Sequence, residues 1–300
     1  MAKSRPDRLF TVSVVHPLRG LLLRDRAQRV PILMYHGIQN GCGARHPYFE
    51  TNTSPDLFSA QMHFLNDNGY RTTSLADAFH RTSAAVGDDK RVVITFDDGY
   101  LDFYQNAFPI LSRLRFNATM FVASSFPGAS PRKFADKNFM TWSQIKEVSA
   151  NGIEIGSHTV SHPELWKLRR EELEHELLHS KDTIENAIGT SVRSFSHPYA
   201  FPEQNTNYRE TLCRLLIQSG YENGVTTIIG CAAPENPRYF LPRLPINAHD
   251  DLALFRAKLE GAYDWVHVAQ HVYKKWLKRD SSRARITPEI AALSNSIPEK

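Results

Sequence analysis

The chain has 300 residues, 41% of them hydrophobic and 23% charged, with a formal net charge of +4. This is ordinary for a soluble globular chain of one large or two small domains. Cys42, Cys213 and Cys231 are too few and too scattered for a disulfide framework or a Cys-x-x-Cys knuckle. No apolar run approaches the roughly 18 residues that span a bilayer, and no nucleic-acid-binding motif accompanies the basic charge.

Residues 1–29 carry Lys3, Arg5, Arg8, Arg19, Arg24, Arg26 and Arg29 against Asp7 and Asp25. They are expected to form a solvated basic extension. A second reading gives PLRGLLLRDRAQR (17–29) a peripheral attraction to an anionic membrane face. LFTVSVV (9–15) is short for a signal peptide and lacks a small-x-small cleavage site, so a cytoplasmic protein is expected.

VPILMYH (30–36) reads as a compact strand. SPDLFSAQMHFLNDNG (54–69) reads as a helix, with Ser54 as N-cap, Pro55 at the first position and Gly69 as the stop. RVVITF (91–96) is the clearest strand. A helix to about Arg115, kinked at Pro109, and the strand ATMFVA (118–123) follow. Thr141 caps the next helix, with Gln144 completing a capping box. IEIGSH (153–158) is a strand, LRREELEHELLHSKDTIENAIG (168–189) a long helix and SVRSFSHP (191–198) a strand. YRETLCRLLIQSG (208–220) is a helix and YENGVTT (221–227) a strand. Repeated β-α units predict a parallel sheet with helices outside, either a barrel or a doubly wound sheet. The end of the chain, 262–300, is expected to be a tail; KKWLKRDSSRAR (274–285) within it has six basic residues and one acid.

Chemistry-bearing residues gather at the carboxyl ends of these strands, where parallel α/β folds assemble their sites. VVITFDDGY (92–100) places Asp97 and Asp98 directly after an apolar strand. Asp-Asp-Gly is also good turn chemistry, but a turn needs no adjacent acid pair. Adjacent carboxylates diverge, so one can ligate a metal while the other reaches a bound water. IEIGSHTVSHPEL (153–165) ends in His158 and His162, whose i, i+4 spacing suits a common ligand. With Asp98 they make two histidines and one carboxylate, the usual catalytic zinc set.

HELLH (175–179) matches the zinc-peptidase signature His-Glu-x-x-His. Its histidines lie off the apolar stripe of Leu173, Leu177, Ile184, Ala187 and Ile188, as expected of a solvent-facing helix. It is read as a coincidental match, and replacing Glu176 is expected to change little.

TFDDG, SHTVSHP and ILMYHGI together resemble the polysaccharide deacetylase (NodB-homology) family, carbohydrate esterase family four, from about Pro31 to about Gly261. The resemblance implies a distorted (β/α) barrel as a single catalytic domain, 30–261, between the extension 1–29 and the tail 262–300. It implies metal-dependent hydrolysis of an N- or O-acetyl group on a polysaccharide or glycan precursor. Asp97 would be the base, and Asp98, His158 and His162 the ligands of a divalent ion. Zinc is the first choice, with cobalt, nickel or iron compatible. FSHPYA (195–200) resembles the family's third motif, in which the N–H after the proline, here that of Tyr199, stabilises the oxyanion.

Two departures stand out. Ser196 occupies the position where the family commonly has an arginine orienting the base, and Ala200 that of a glycine. The fourth motif is not visible; RYFLPRLPI (238–246) stands in its region, so Arg243 is the candidate replacement, weighed against a surface ion pair. For the acid serving the leaving amine, His249 is preferred over His197. His36 is expected to be structural or rim-lining. The competing functions are a zinc peptidase using HELLH, a deacylase of another small amide, and a non-catalytic glycan-binding relative.

Overall fold

The computed structural model describes residues 5–18, 29–41, 48, 50–78, 90–128, 133–134 and 137–269. Cys42, most of the segment 17–29 for which a membrane contact is the second reading, and the tail from 270 onward, with its basic stretch, lie outside the described residues.

Eight strands form the main sheet: β1 (Ile32–Tyr35), β2 (Arg71–Thr73), β3 (Arg91–Phe96), β4 (Ala118–Val122), β5 (Ile153–Ser157), β6 (Ser194–Ser196), β7 (Asn223–Ile229) and β8 (Leu241–Pro245). Every pairing among them is parallel, in the order β1-β8-β7-β6-β5-β4-β3, and β3 pairs back onto β1 from Ile32↔Val93 to Tyr35↔Phe96. Seven strands therefore close a barrel, the expected distorted (β/α) architecture. The distortion has a location. β3 meets β4 only at Thr95↔Thr119 and Phe96↔Met120, and β2 takes up the lower part of that edge at Arg71–Thr73↔Arg91–Val93.

The period of two in each strand divides the apolar residues into two layers. Ile32, Val93, Phe121, Val225 and Leu241 form a small cluster, with Leu33, Ile94, Met120, Ile155 and Leu244 in a larger one shared with the helices. The inward set continues upward through Thr95 on β3 to Asp97 just past its end, and through Gly156 on β5 to His158 just past its end. A Cβ on Gly156 would lie 2.5 Å from the Phe121 ring, so only glycine fits there.

The helices cover the barrel: α1 (Pro55–Asp67), α2 (Phe108–Leu114), α3 (Trp142–Ala150), α4 (Arg170–Ile188), α5 (Thr206–Gln218) and α6 (Leu252–Leu259). Ser54 caps α1 by accepting from Leu57 N–H at 3.2 Å, and Thr141 and Gln144 form the expected capping box. Instead of a simple kink at Pro109, a π-helical turn over Phe103–Ala107 precedes α2, with Pro109 in its first turn. Part of the amino-terminal segment is not a solvated tail: Arg5 and Asp7 are almost completely buried against Asp250 and Tyr263.

Candidate active site

The carboxyl ends of β3, β5, β6 and β8 converge on one mouth of the barrel. Asp97 and Asp98 leave β3 in divergent directions because Asp98 adopts a left-handed backbone (φ 77°), followed by Gly99 at 78°. Thr159 (73°), His162 (57°) and Tyr199 (55°) are also left-handed, leaving Arg115 as the only such non-glycine residue elsewhere among the described residues. Each conformation of this kind costs roughly 1–3 kcal/mol and persists only where its surroundings over-determine it. Strain is therefore concentrated at the mouth.

Asp98, His158 and His162 come together with one ligand atom each, all within 4.8 Å of one another. His158 Nε2 and His162 Nε2 lie 3.5 and 3.4 Å from the same Asp98 Oδ1, longer than a good hydrogen bond, as expected of ligands converging on a common point. His158 Nδ1–H donates to the Ser196 carbonyl at 2.8 Å, which fixes the tautomer and leaves the Nε2 lone pair directed at the cluster. Burial pushes the His158 imidazole down to about 4, so it is neutral at pH 7 as a metal ligand must be. Two imidazole nitrogens and one carboxylate oxygen fit a divalent transition metal.

Asp97 is buried beside this cluster. Arg243 grips it with both guanidinium branches, Nη1 on Oδ1 and Nη2 on Oδ2, each at 2.8 Å. The arginine is itself fully buried. Its Nε–H donates to Thr226 O (3.0 Å), Nη1 to Thr95 Oγ1 (3.2 Å) and Nη2 to Ser196 Oγ (3.0 Å). Ser196, which also donates to Asp97 Oδ1 at 3.3 Å, is small enough to admit the guanidinium arriving from β8. The β7–β8 register shifts between Val225 and Ile229, next to Arg243, a local irregularity of the kind that re-aims side chains. Burial alone would raise the Asp97 carboxyl, but the Arg243 charge, followed by His158 and His36, holds it well below the usual carboxylate range.

Tyr199 ends the turn after β6. Its ring packs edge-on to His162 at 4.6 Å, and among the described residues its N–H has no hydrogen-bond acceptor. His249 sits in the turn after β8, at the same end of the barrel. Its N–H donates to Asn247 Oδ1, while its ring makes no hydrogen bond among the described residues. His197 is instead a core histidine: it is buried, with Nε2 at 2.7 Å from Tyr208 OH and its ring against Phe201. His36 Nε2 stands 3.9 Å from Asp97 Oδ2, on the rim.

HELLH divides in two. His175 and His179 stack on each other on the exposed face of α4, and neither joins a metal-type cluster among the described residues. The peptidase reading is not favoured. Glu176, however, does not share the exposed face of the two histidines: it is buried and bonded to the loop that carries His158 and His162. Periodicity held the signal: Glu176 and Ser180 are one turn apart and fall on the Leu173–Leu177–Ile184 side.

A closed parallel barrel of this kind is the architecture of the polysaccharide deacetylases. The chain belongs to that family. The family's sequence model, described as polysaccharide deacetylase, matches residues 84–223. YxkH of Bacillus subtilis (strain 168), which bears a polysaccharide deacetylase name, is 32% identical over 238 residues, covering 79% of this chain and 78% of that one. The poly-beta-1,6-N-acetyl-D-glucosamine N-deacetylase of Escherichia coli (strain K12) is 36% identical over 110 residues, which is 33% of this chain but only 16% of that longer protein. Among solved structures, the Streptococcus pyogenes deacetylase PplD in complex with acetate superposes with a TM-score of 0.65 at 26% identity, covering 77% of this chain and 98% of that one.

Proposed function

We propose that the protein hydrolyses N-acetyl groups, with O-acetyl groups as the related alternative, on a polysaccharide or glycan precursor. In this reading Asp98, His158 and His162 hold a divalent ion, zinc before cobalt, nickel or iron, and Asp97 is the base. The observation that carries it is the bidentate Arg243–Asp97 pair set directly beside the Asp98–His158–His162 cluster. The substrate class is supported by the N-acetylglucosamine polymer named for the Escherichia coli relative and by the acetate bound to the Streptococcus pyogenes one.

A divalent ion, when bound, would acidify a water and polarise the acyl oxygen. Asp97, held ionised by Arg243, accepts the attacking water's proton on a carboxylate oxygen; so weak a base works only on a strongly acidified proton. The planar fork of Arg243 fixes the direction from which that proton is taken. Tyr199 N–H donates to the oxygen that gains charge as the carbonyl is attacked. His249, with an uncommitted ring at the same mouth, protonates the leaving nitrogen.

The test is acetate release from β-1,6- and β-1,4-linked N-acetylglucosamine oligomers and from peptidoglycan, using zinc-supplemented protein. Release from at least one of them is expected. No release from any, together with cleavage of a peptide panel, would overturn the reading.

A further inference from the structure

The loop 158–162 presents two of the three candidate ligands from a backbone with two left-handed residues, Thr159 and His162. A loop so shaped does not hold itself, and α4 supplies the support. Glu176 Oε2 accepts from Val160 N–H at 2.7 Å and from Ser161 N–H at 2.9 Å, while Oε1 accepts from Ser161 Oγ at 2.6 Å. Two successive N–H groups after a left-handed residue form a small anion-binding concavity, and here a carboxylate of the same chain fills it. One turn further along α4, Ser180 Oγ donates to Thr159 O at 2.8 Å and accepts from Ser157 Oγ at 2.9 Å. Thr159 Oγ1 closes the loop by accepting from His162 N–H at 2.9 Å. Among the described residues no cation pairs with Glu176. A buried carboxylate compensated by neutral donors alone is costly, so its placement has to be explained by what it holds.

We propose that Glu176, seconded by Ser180, is a positioning residue that fixes the approach of His158 and His162 to a shared divalent ion. This rests on the reading of Asp98, His158 and His162 as its ligands. The helix carrying HELLH then serves the metal site through its glutamate, from outside the ligand set. Its two histidines, one residue before and three after that glutamate, face solvent.

Zinc affinity is measured by competition with a chromophoric chelator, and ligand geometry by the visible absorption of the cobalt(II)-substituted protein. The proteins compared are wild type, His158→Ala, Glu176→Ala, Glu176→Gln and Ser180→Ala. A glutamine can turn its carbonyl to both N–H groups and its amide to Ser161 Oγ, so it keeps the cradle and loses only the charge. Glu176→Ala is expected to weaken zinc binding by about 10–100-fold, the usual span for outer-shell partners, and to alter the cobalt band. Glu176→Gln is expected to lose at most about threefold and to restore the wild-type band, and Ser180→Ala to lose a few-fold. Wild-type affinity and spectrum in Glu176→Ala would overturn the proposal, even if its melting temperature fell. Equal losses in Glu176→Ala and Glu176→Gln would also overturn it, by making the effect one of charge. If Glu176→Ala does not fold, an unchanged affinity and spectrum in Ser180→Ala overturns the proposal. Wild-type zinc affinity in His158→Ala would show instead that the ligand assignment has failed, and the proposal with it.

Discussion

Two buried clusters in this protein are built from the same parts, a carboxylate gripped by an arginine, and they differ in what is left over. At the barrel mouth, Arg243 holds Asp97, while His158 Nε2, His162 Nε2 and Asp98 face one another without good hydrogen bonds. At the amino-terminal clamp, Arg5 spans Asp7 (2.6 Å) and Asp250 (2.9 Å). There, Tyr48 and Tyr263 complete Asp7, while Lys258 and Asn247 N–H complete Asp250. The clamp has no left-handed non-glycine residue, whereas the mouth has four. A buried ion pair therefore does not mark a functional site by itself. Uncommitted donor atoms on strained backbone do, because strain and unsatisfied valence are costs that a purely structural cluster has no reason to carry.

Mutations at the two clusters should part company. Asp97→Asn keeps the shape of the mouth and removes the proposed base, so deacetylation should fall about 10²–10⁴-fold, the usual span for general-base removal. Bound metal should stay at the wild-type level, as read by elemental analysis of the same sample. Arg5→Ala should do the reverse. It leaves two buried carboxylates short of a partner, at about 3–5 kcal/mol of stability by urea unfolding, with kcat unchanged at temperatures where the variant is folded. A loss of kcat there would dissolve the contrast between the two regions.

Acidification sharpens the comparison. Burial pushes His158 down to about 4 and His197 down to about 3. Below about pH 6.5 the unfolded chain takes up these protons while the folded chain does not. Stability should thus be complete above pH 6.5 and fall continuously toward pH 3–4, by on the order of 3 kcal/mol per histidine. Asp97, depressed by Arg243 against the opposing effect of burial, adds a loss in the same direction below about pH 4. Urea midpoints of the metal-free protein between pH 7.5 and 5 check this; a midpoint that rose on acidification would contradict the neutral, buried state of both imidazoles.

The smallest expected effect separates geometry from charge. Arg243→Lys keeps a cation next to Asp97 and loses the planar fork, so kcat should drop by about 10–10²-fold with metal content intact. Near wild-type rates in both Arg243→Lys and Arg243→Ala would leave the arginine without a part in the chemistry.

The strands β1, β3 and β4 are plain in the sequence because apolar runs such as Val92–Phe96 are buried on both faces of a parallel sheet. The acid and histidine pairs were visible for a related reason: each directly follows such a run. Strand β2 was not, since Arg71–Thr73 is short and polar and has its partner twenty residues on. The clamp was hidden as well, because the basic letters of residues 1–29 read as a solvated segment until Asp7, Asp250 and Tyr263 surround Arg5. Glu176 is hard to single out for a subtler reason. Glutamates crowd the start of α4, and only a place one turn before Ser180, on the Leu173–Leu177–Ile184 side of the helix, distinguishes Glu176 from Glu171, Glu172 and Glu174. The Asp97–Arg243 contact joins residues 146 apart, so local periodicity carries no trace of it. The absence of an arginine at position 196 was the one hint.

Whether a divalent ion at the barrel mouth is needed for turnover is decided by chelation followed by zinc readdition, with metal content and acetate release measured together. The proposed ligand set predicts one ion per chain in the wild type, activity lost with the ion and restored by zinc, and neither ion nor activity in His158→Ala. Full metal content and full activity in His158→Ala would contradict it.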